Sequence, residues 1–319
     1  MGKDYVVGID IGGQSSKLGV VDARGEVLAQ SVVKANPSSD ADVIIRELAE
    51  AVIKLVAEAG KHGEIRGIGV GAPNGNYYTG TIAFAPNLPW AAKESVQFAK
   101  KLSDAVGGIP VALTNDANAA AVGEMTYGVA KGMKDFIMIT LGTGVGSGIV
   151  IDGKVVYGSD GFAGELGHNC AVRHNGRLCG CGKTGCLEAY CSAIGVARTA
   201  REWLEASDEP SLLRDVQEIT SKDVYEAAKE GDKMAIRIFD FTGRILGEKL
   251  ADYVQFSAPE AVVLFGGLAR AKEFLYEPTL KAMNDNLLPL WKGKVKLLFS
   301  QLKESDAAIL GASALAWEL

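Results

Sequence analysis

The sequence has no basic excess: 33 lysines and arginines stand against 39 aspartates and glutamates in 319 residues, a formal charge of −6. Without a global positive field nothing draws in a phosphate backbone, so nucleic acid is not expected as a partner. No stretch approaches eighteen uninterrupted apolar residues, and no leader-like segment precedes the strand-like run that begins at Tyr5. A soluble, cytoplasmic protein with no membrane partner is expected. A Walker-type loop is missing, since no glycine pair is followed by Lys and then Ser or Thr at the required spacing, and no G-x-G-x-x-G opens a helix after the first strand. The common nucleotide-binding folds are therefore disfavoured. Cysteine is absent from most of the chain, with Cys170, Cys179, Cys181, Cys186 and Cys191 confined to one segment. An odd number at such close spacing argues against a disulfide framework and for metal ligation.

What is present is a balanced globular composition, 48% hydrophobic and 23% charged, long enough for two domains. Strands are expected at Tyr5 to Asp10, Lys17 to Val21 and from about Val27. A helix capped by Ser39 or Asp40 follows, with Ile44, Leu48, Val52, Leu55 and Ala59 at helical spacing. A strand at Ile65 to Val70, a helix near Glu94 to Val106 and a strand at Ile109 to Leu113 complete an α/β pattern. The second half restarts the theme. Phe136 to Leu141, a glycine turn and the strands around Asp152 and Gly153 echo the opening of the chain. Helices over Ser192 to Ala206 and Lys233 to Val254, a strand at Ala261 to Phe265 and a last helix over Ala307 to Trp317 follow. A duplicated hairpin of this kind fits two similar domains facing each other across a cleft.

Backbone approaches phosphate closely only where no Cβ intervenes, and successive N–H groups then form an anion cradle. Three glycine sites qualify: Gly12 and Gly13; Gly142, Gly144 and Gly146 with Thr143; and Gly266 and Gly267. Asp10, beside the first, suits a hydrated Mg²⁺, which prefers carboxylate when phosphates supply the other ligands. Asn115 and Asp116 stand at a helix start, where one reading is a plain N-cap and the other makes Asp116 the general base for a hydroxyl nucleophile. Cys179, Cys181 and Cys186 form C-x-C-G-x-x-G-C, where one reading is a set of reduced surface thiols and the other a closed structural zinc site that the His168 imidazole would complete as Cys₃His. Glu165 and Glu188 flank that loop, where a metal staple would hold them rigid enough to accept hydrogen bonds from sugar hydroxyls.

Together these residues resemble the ROK family of sugar kinases and repressors in the actin/hexokinase superfamily. The resemblance covers essentially the whole chain. It rests on Asp10 to Gln14 for D-x-G-G-T, Gly71 to Asn74 for a G-x-P-G-like turn and Pro86 to Trp90 around a P-N-L segment. It continues with Asn115 to Ala121, Leu141 to Gly148, Glu165 to His168 and the cysteine run ending at Glu188. The resemblance implies a two-domain, ribonuclease H-like α/β fold with a cleft between the domains. The smaller domain takes in residues 1–115 and about 304–319, the larger one residues 116–303 with the zinc loop. It makes Asp116 the catalytic base and Asn87, Asn115, Asp116, Glu165, His168 and Glu188 the sugar ligands. Asp10, Gly12, Gly13, Gln14, Gly142, Thr143, Gly144, Gly266 and Gly267 hold ATP, and His168, Cys179, Cys181 and Cys186 hold zinc.

The implied reaction is ATP- and Mg²⁺-dependent phosphorylation of a hexose, glucose first. The alternatives are an N-acetylhexosamine, fructose or mannose kinase, or a non-catalytic sugar sensor. The implied assembly is a homodimer or homotetramer. A repressor would need a helix-turn-helix ahead of the fold, for which a first strand at Tyr5 leaves no room. Three departures stand out: Gln14 where the family has Thr, Asn74 where it has Gly, and eleven positions from His168 to Cys179, one more than the family spacing.

Overall fold

The structure is a computed structural model and describes residues 4–319. Residues 1–3, which belong to the amino terminus read as leaderless and to the first expected domain, lie outside them. Two compact units are formed. One runs to Gly132 and takes in Lys154–Gly164 and Gln301–Leu319; the other comprises Met133–Gly153 and Glu165–Ser300.

In the first unit a five-stranded sheet is ordered Val27–Lys34, Ser15–Asp22, Tyr5–Ile11, Ile65–Gly71, Val111–Thr114. The first three strands are antiparallel and the last two join in parallel. Alternation along the central strand decides what covers each face. Val7, Ile9 and Ile11 share a core with Ile44, Leu48 and Val52 of the helix Ala41–Glu58, which starts where the Asp40 side chain accepts the Asp42 N–H. On the other face Val6 packs with Ile309 of the helix Glu304–Leu315. That helix lies against bare backbone, because a Cβ on Gly8 or Gly69 would strike the carbonyls of Ile309 and Ala312.

The helix Asp116–Tyr127 also belongs to this unit, which therefore extends past the expected 115/116 boundary. Gly123 and Gly311 bring the two helices into contact, a Cβ on Gly123 lying only 2.7 Å from the Gly311 Cα. The expected helix near Glu94 to Val106 is shortened to Phe98–Ala105. The preceding Ser95–Val96 pairs with Thr81–Ala83, whose other side pairs with Gly75–Asn76, in a small antiparallel sheet that the sequence did not signal.

The strands of the second unit run in the order Val145–Ile151, Phe136–Leu141, Ala261–Phe265, Lys296–Phe299. The first pair is an antiparallel hairpin and the others are parallel. The helix Lys233–Ser257 fills the core with Ile238, Phe239, Leu246 and Leu250 against Ile137, Ile139 and Leu264. Gly243 and Gly247 let the helix Lys272–Asn286 approach closely, a Cβ on Gly243 lying 2.7 Å from Pro278. Each unit thus opens with strand, glycine turn and strand and continues into a mixed sheet with packed helices, the α/β class expected from the alternation of strand and helix patterns. No helix among the described residues is long and apolar enough to cross a membrane.

Candidate functional site

In the first unit the hairpin turn Gly12–Gln14 closes through the Gly12 N–H donating to the Ser15 carbonyl at 3.0 Å, and its far side is tied by Ala35 donating to the Gln14 carbonyl at 2.9 Å. Asp10 stands one residue before the end of its strand, opposite Lys17 on one side and Gly71 on the other. Gly71 is what lets its neighbours converge: a Cβ there would lie 3.6 Å from the Asp116 Cα and 4.0 Å from Asp10 Oδ1. The two carboxylates therefore share one neighbourhood. Burial, then the charge of Asp116, push the Asp10 carboxyl up to about 6, with Lys17 pulling the other way.

Both readings of the Asn115–Asp116 pair meet in one geometry. Asn115 is the N-cap of the helix, its Oδ1 accepting the Ala117 N–H at 2.9 Å, and Asp116 Oδ1 accepts the same N–H at 2.8 Å. Asp116 is open to solvent yet ringed by protein atoms, and that desolvation raises its carboxyl above the ordinary value while the Ala117 N–H opposes the rise. A fixed, accessible carboxylate with a raised pKa has the properties of a general base. Asn87 is exposed, and its backbone packs on the first turn, since a Cβ on Gly13 would lie 3.1 Å from the Asn87 carbonyl oxygen. Asn74 adopts the left-handed conformation that glycine favours, with φ at 52°. Its side-chain amide donates to the carbonyls of Ala83 and Phe84 at 3.1 and 2.9 Å, which pins the G-x-P turn to the end of the strand Thr81–Ala83.

In the second unit the turn Gly142 to Gly146 joins Phe136–Leu141 to Val145–Ile151, and Glu188 accepts the Val145 N–H at 3.0 Å. Glu165 is exposed at the entrance to the short helical turn Leu166–His168. That turn is locked in place: Ser147 Oγ accepts from the Leu166 N–H at 3.1 Å, Tyr253 donates its hydroxyl to the Leu166 carbonyl at 2.8 Å, and Gly167 lies flat on Val145. Gly266 has φ at 103°, and a Cβ there would lie 2.6 Å from the Leu141 carbonyl oxygen; Gly267 is unobstructed.

The ligand atoms of His168, Cys179, Cys181 and Cys186 all lie within 4.8 Å of one another. His168 Nδ1 is 3.8 Å from Cys179 Sγ, and Cys181 Sγ is 3.7 Å from Cys186 Sγ. A tetrahedral ion about 2.3 Å from each sulfur needs sulfurs about 3.8 Å apart, so the donor set fits zinc in spacing and in chemistry. Cys170, Cys191 and His174 are not members of the cluster. Cys191 is buried, its thiol directed at the Thr242 carbonyl. Left-handed glycines at Gly182 and Gly185 fold the loop, and the eleven-residue span from His168 is taken up by bridges pairing Cys170 with Cys186 and Leu178 with Thr184.

Arg177 carried no signal in the sequence. Its buried guanidinium donates to Glu202, to the Ala189 carbonyl at 3.1 Å and to Thr199 Oγ1 at 2.9 Å, and it lies over the Tyr190 ring. It fastens the cysteine loop to the helix Ala193–Ala206, and only its position beside a cysteine run could have drawn attention to it.

Against known proteins, the family model described as the ROK family matches residues 6–318. A glucokinase from Halalkalibacterium halodurans is 34% identical, covering 98% of this chain and 94% of that protein. The crystal structure of a ROK family glucokinase from Streptomyces griseus in complex with glucose and AMPPNP superposes with a TM-score of 0.80 at 35% identity, covering 99% of this chain and all of that one. A xylose repressor from Caldicellulosiruptor bescii is 29% identical, covering 97% of this chain and 77% of that protein.

Proposed function

The chain belongs to the ROK family, and from that membership we propose that it transfers the γ-phosphoryl group of ATP to a hexose hydroxyl, O6 of glucose foremost. The observation that carries this reading is the Asn115–Asp116 helix start: a carboxylate held by the Ala117 N–H, open to solvent and raised in pKa by its surroundings. Asp116 accepts the hydroxyl proton as that oxygen bonds to the γ-phosphorus, and the bond to the β-phosphate oxygen breaks to release ADP. Proton transfer is a small part of a loose phosphoryl transfer, so positioning and charge neutralisation supply most of the acceleration.

The remaining assignments are part of the same proposal. Asn87, Asn115, Glu165, His168 and Glu188 hold the sugar. His168 presents Nδ1 to the cysteines, which leaves Nε2 to meet a hydroxyl. The turns at Gly12, Gly13 and Gln14 and at Gly142, Thr143 and Gly144 receive phosphates, and Gly266 and Gly267 receive the adenosine. Asp10 suits Mg²⁺, because two neighbouring carboxylates, with Lys17 opposing them, leave negative charge for a cation to neutralise; when bound, Mg²⁺ offsets phosphate charge. Zinc in the Cys₃His set holds the loop that carries His168 and leads into Glu188. A cytoplasmic location, where ATP is supplied, and a homodimer or homotetramer complete the reading.

A coupled ADP-release assay with MgATP against hexoses and N-acetylhexosamines tests it. Saturable turnover with glucose is expected. A preference for an N-acetylhexosamine, fructose or mannose moves the substrate within the same chemistry, and silence across the panel in protein that binds sugar replaces the kinase with a sensor.

A further inference from the structure

Glu188 is assigned to the sugar, and its surroundings give it a second task. Its Oε2 accepts the Val145 N–H at 3.0 Å and occupies the space that a Cβ on Gly144 would need. The residues that follow continue the brace. Ala193 donates its N–H to the Gly142 carbonyl at 2.8 Å, and Ser192 donates to the Glu188 carbonyl at 3.2 Å. Residues 188–193 therefore grip the glycine turn at both ends.

The turn's own amides are largely committed. Gly142 donates to the Gly144 carbonyl at 3.0 Å, Gly146 to Thr140 Oγ1 at 3.1 Å, and Val145 to Glu188. Thr143 and Gly144 are left as two consecutive N–H groups with no acceptor among the described residues. Such a pair on a glycine turn is an anion cradle. A carboxylate is a poor neighbour for a phosphate on charge alone, so its presence here is explained by what it does to the backbone.

We propose that Glu188 is the positioning residue of the Gly142–Gly146 turn, so that one carboxylate sets both sugar affinity and nucleotide affinity. Oε2 fixes the conformation in which the Thr143 and Gly144 amides meet a nucleotide phosphate, and Oε1, which lies 3.4 Å from Cys179 Sγ at the edge of the cysteine loop, has further lone-pair capacity for the sugar. This rests on the kinase reading above. A sugar ligand with no other task would leave nucleotide binding alone, and a phosphate-loop glycine with no other task would leave sugar binding alone.

The test is calorimetric binding of glucose and, separately, of a non-hydrolysable ATP analogue with Mg²⁺, to the full chain and three variants. Glu188→Ala orphans the Val145 N–H and should weaken both ligands by about tenfold or more. Glu188→Gln keeps an amide oxygen for that N–H, so nucleotide affinity should stay within about threefold of the parent while glucose affinity falls by about tenfold or more. Gly144→Ala is tolerated by its backbone, whose φ is not left-handed, but its methyl displaces Glu188 Oε2; it should weaken glucose although Gly144 is no sugar ligand. Unchanged nucleotide affinity in Glu188→Ala, or unchanged glucose affinity in Gly144→Ala, overturns the proposal. If Glu188→Ala does not fold, Gly144→Ala decides. If the parent protein binds neither ligand, the kinase reading falls by itself, and the brace is then read from hydrogen exchange at the Val145 amide. Protection there in the parent and loss of it in Gly144→Ala upholds the brace; equal exchange in both removes it.

Discussion

The two glycine hairpins open their units with the same strand, turn and strand, yet they are held in different ways. The Gly12–Gln14 turn is closed by backbone bonds within its own sheet, Gly12 to Ser15 and Ala35 to Gln14. Its carboxylate, Asp10, is on the strand itself, shares its neighbourhood with Asp116 and has its pKa pushed up to about 6. The Gly142–Gly146 turn takes its support from a distant segment: Glu188 and Ala193 bind it from beyond the cysteine loop. Identical topology therefore produces two kinds of loop. The first brings negative charge together and calls for a cation. The second presents backbone amides whose geometry depends on a loop that has little apolar content to order it. On this reading chemistry and its Mg²⁺ concentrate in the first unit, and the second is the one sensitive to zinc.

The largest effect that can break this division is expected at Asp116. Asp116→Asn preserves the Ala117 N–H bond through its amide oxygen but cannot take a proton, so kcat should fall about 10²-fold to 10⁴-fold with an unchanged circular dichroism spectrum. Near-normal turnover would remove the base from the first unit. Next in size is the metal. Elemental analysis should find about one zinc per chain, and stripping it, or substituting Cys181→Ser, should raise the glucose KM about tenfold to a hundredfold, since supporting groups around a metal typically matter by that factor. Full sugar affinity in metal-free protein would show that Arg177 and the backbone bridges order the loop unaided.

How much of this was legible in the sequence depends on the reach of each interaction. Cys179, Cys181, Cys186 and His168 sit at ligand spacing within one short loop, and the structure brings their donor atoms together. The hairpins were legible for the same reason, since two apolar runs flanking a glycine turn can pair only locally. The bond from Glu188 to Val145 spans 43 positions, and no period or spacing encodes it. Arg177 reads as an ordinary surface charge until the helix Ala193–Ala206 packs beside it. The helix Lys272–Asn286 was hidden by Pro278, a residue that the neighbouring helix accommodates with Gly243. The small sheet around Gly75–Asn76 has strands too short for alternation to register.

A smaller effect sharpens the contrast through pH. Asp10 has a folded-state pKa raised from 3.8 to about 6, so its protonated form favours the fold. That contribution is complete below its ordinary pKa and is lost as pH rises through about 6. In the absence of added Mg²⁺ the ionised carboxylate then costs at most about 3 kcal/mol. Asp10→Asn removes the cost. Its melting temperature should exceed that of the parent protein by several degrees at pH 8, and the gap should close below about pH 4. Mg²⁺ with nucleotide should narrow the gap at pH 8 by stabilising only the parent, because the variant lacks the carboxylate. A variant no more stable than the parent at pH 8 would mean that Lys17 already neutralises the pair.

The smallest expected effect tests whether the first unit's turns are as self-sufficient as its hairpin suggests. Asn74 occupies a left-handed position where the family pattern has glycine, and its amide donates to the carbonyls of Ala83 and Phe84 at the end of the strand Thr81–Ala83. Asn74→Gly restores conformational freedom to the unfolded chain and deletes both side-chain bonds. The first change and the second both destabilise, together by about 1–2 kcal/mol. The turn itself should survive, because glycine adopts the same φ without strain. Stability should therefore drop by a few degrees in a thermal melt while glucose KM stays within about threefold of the parent. A larger KM change would show that the amide of Asn74, and not merely its backbone conformation, shapes the sugar site, and the first unit would then depend on a side-chain brace as the second does.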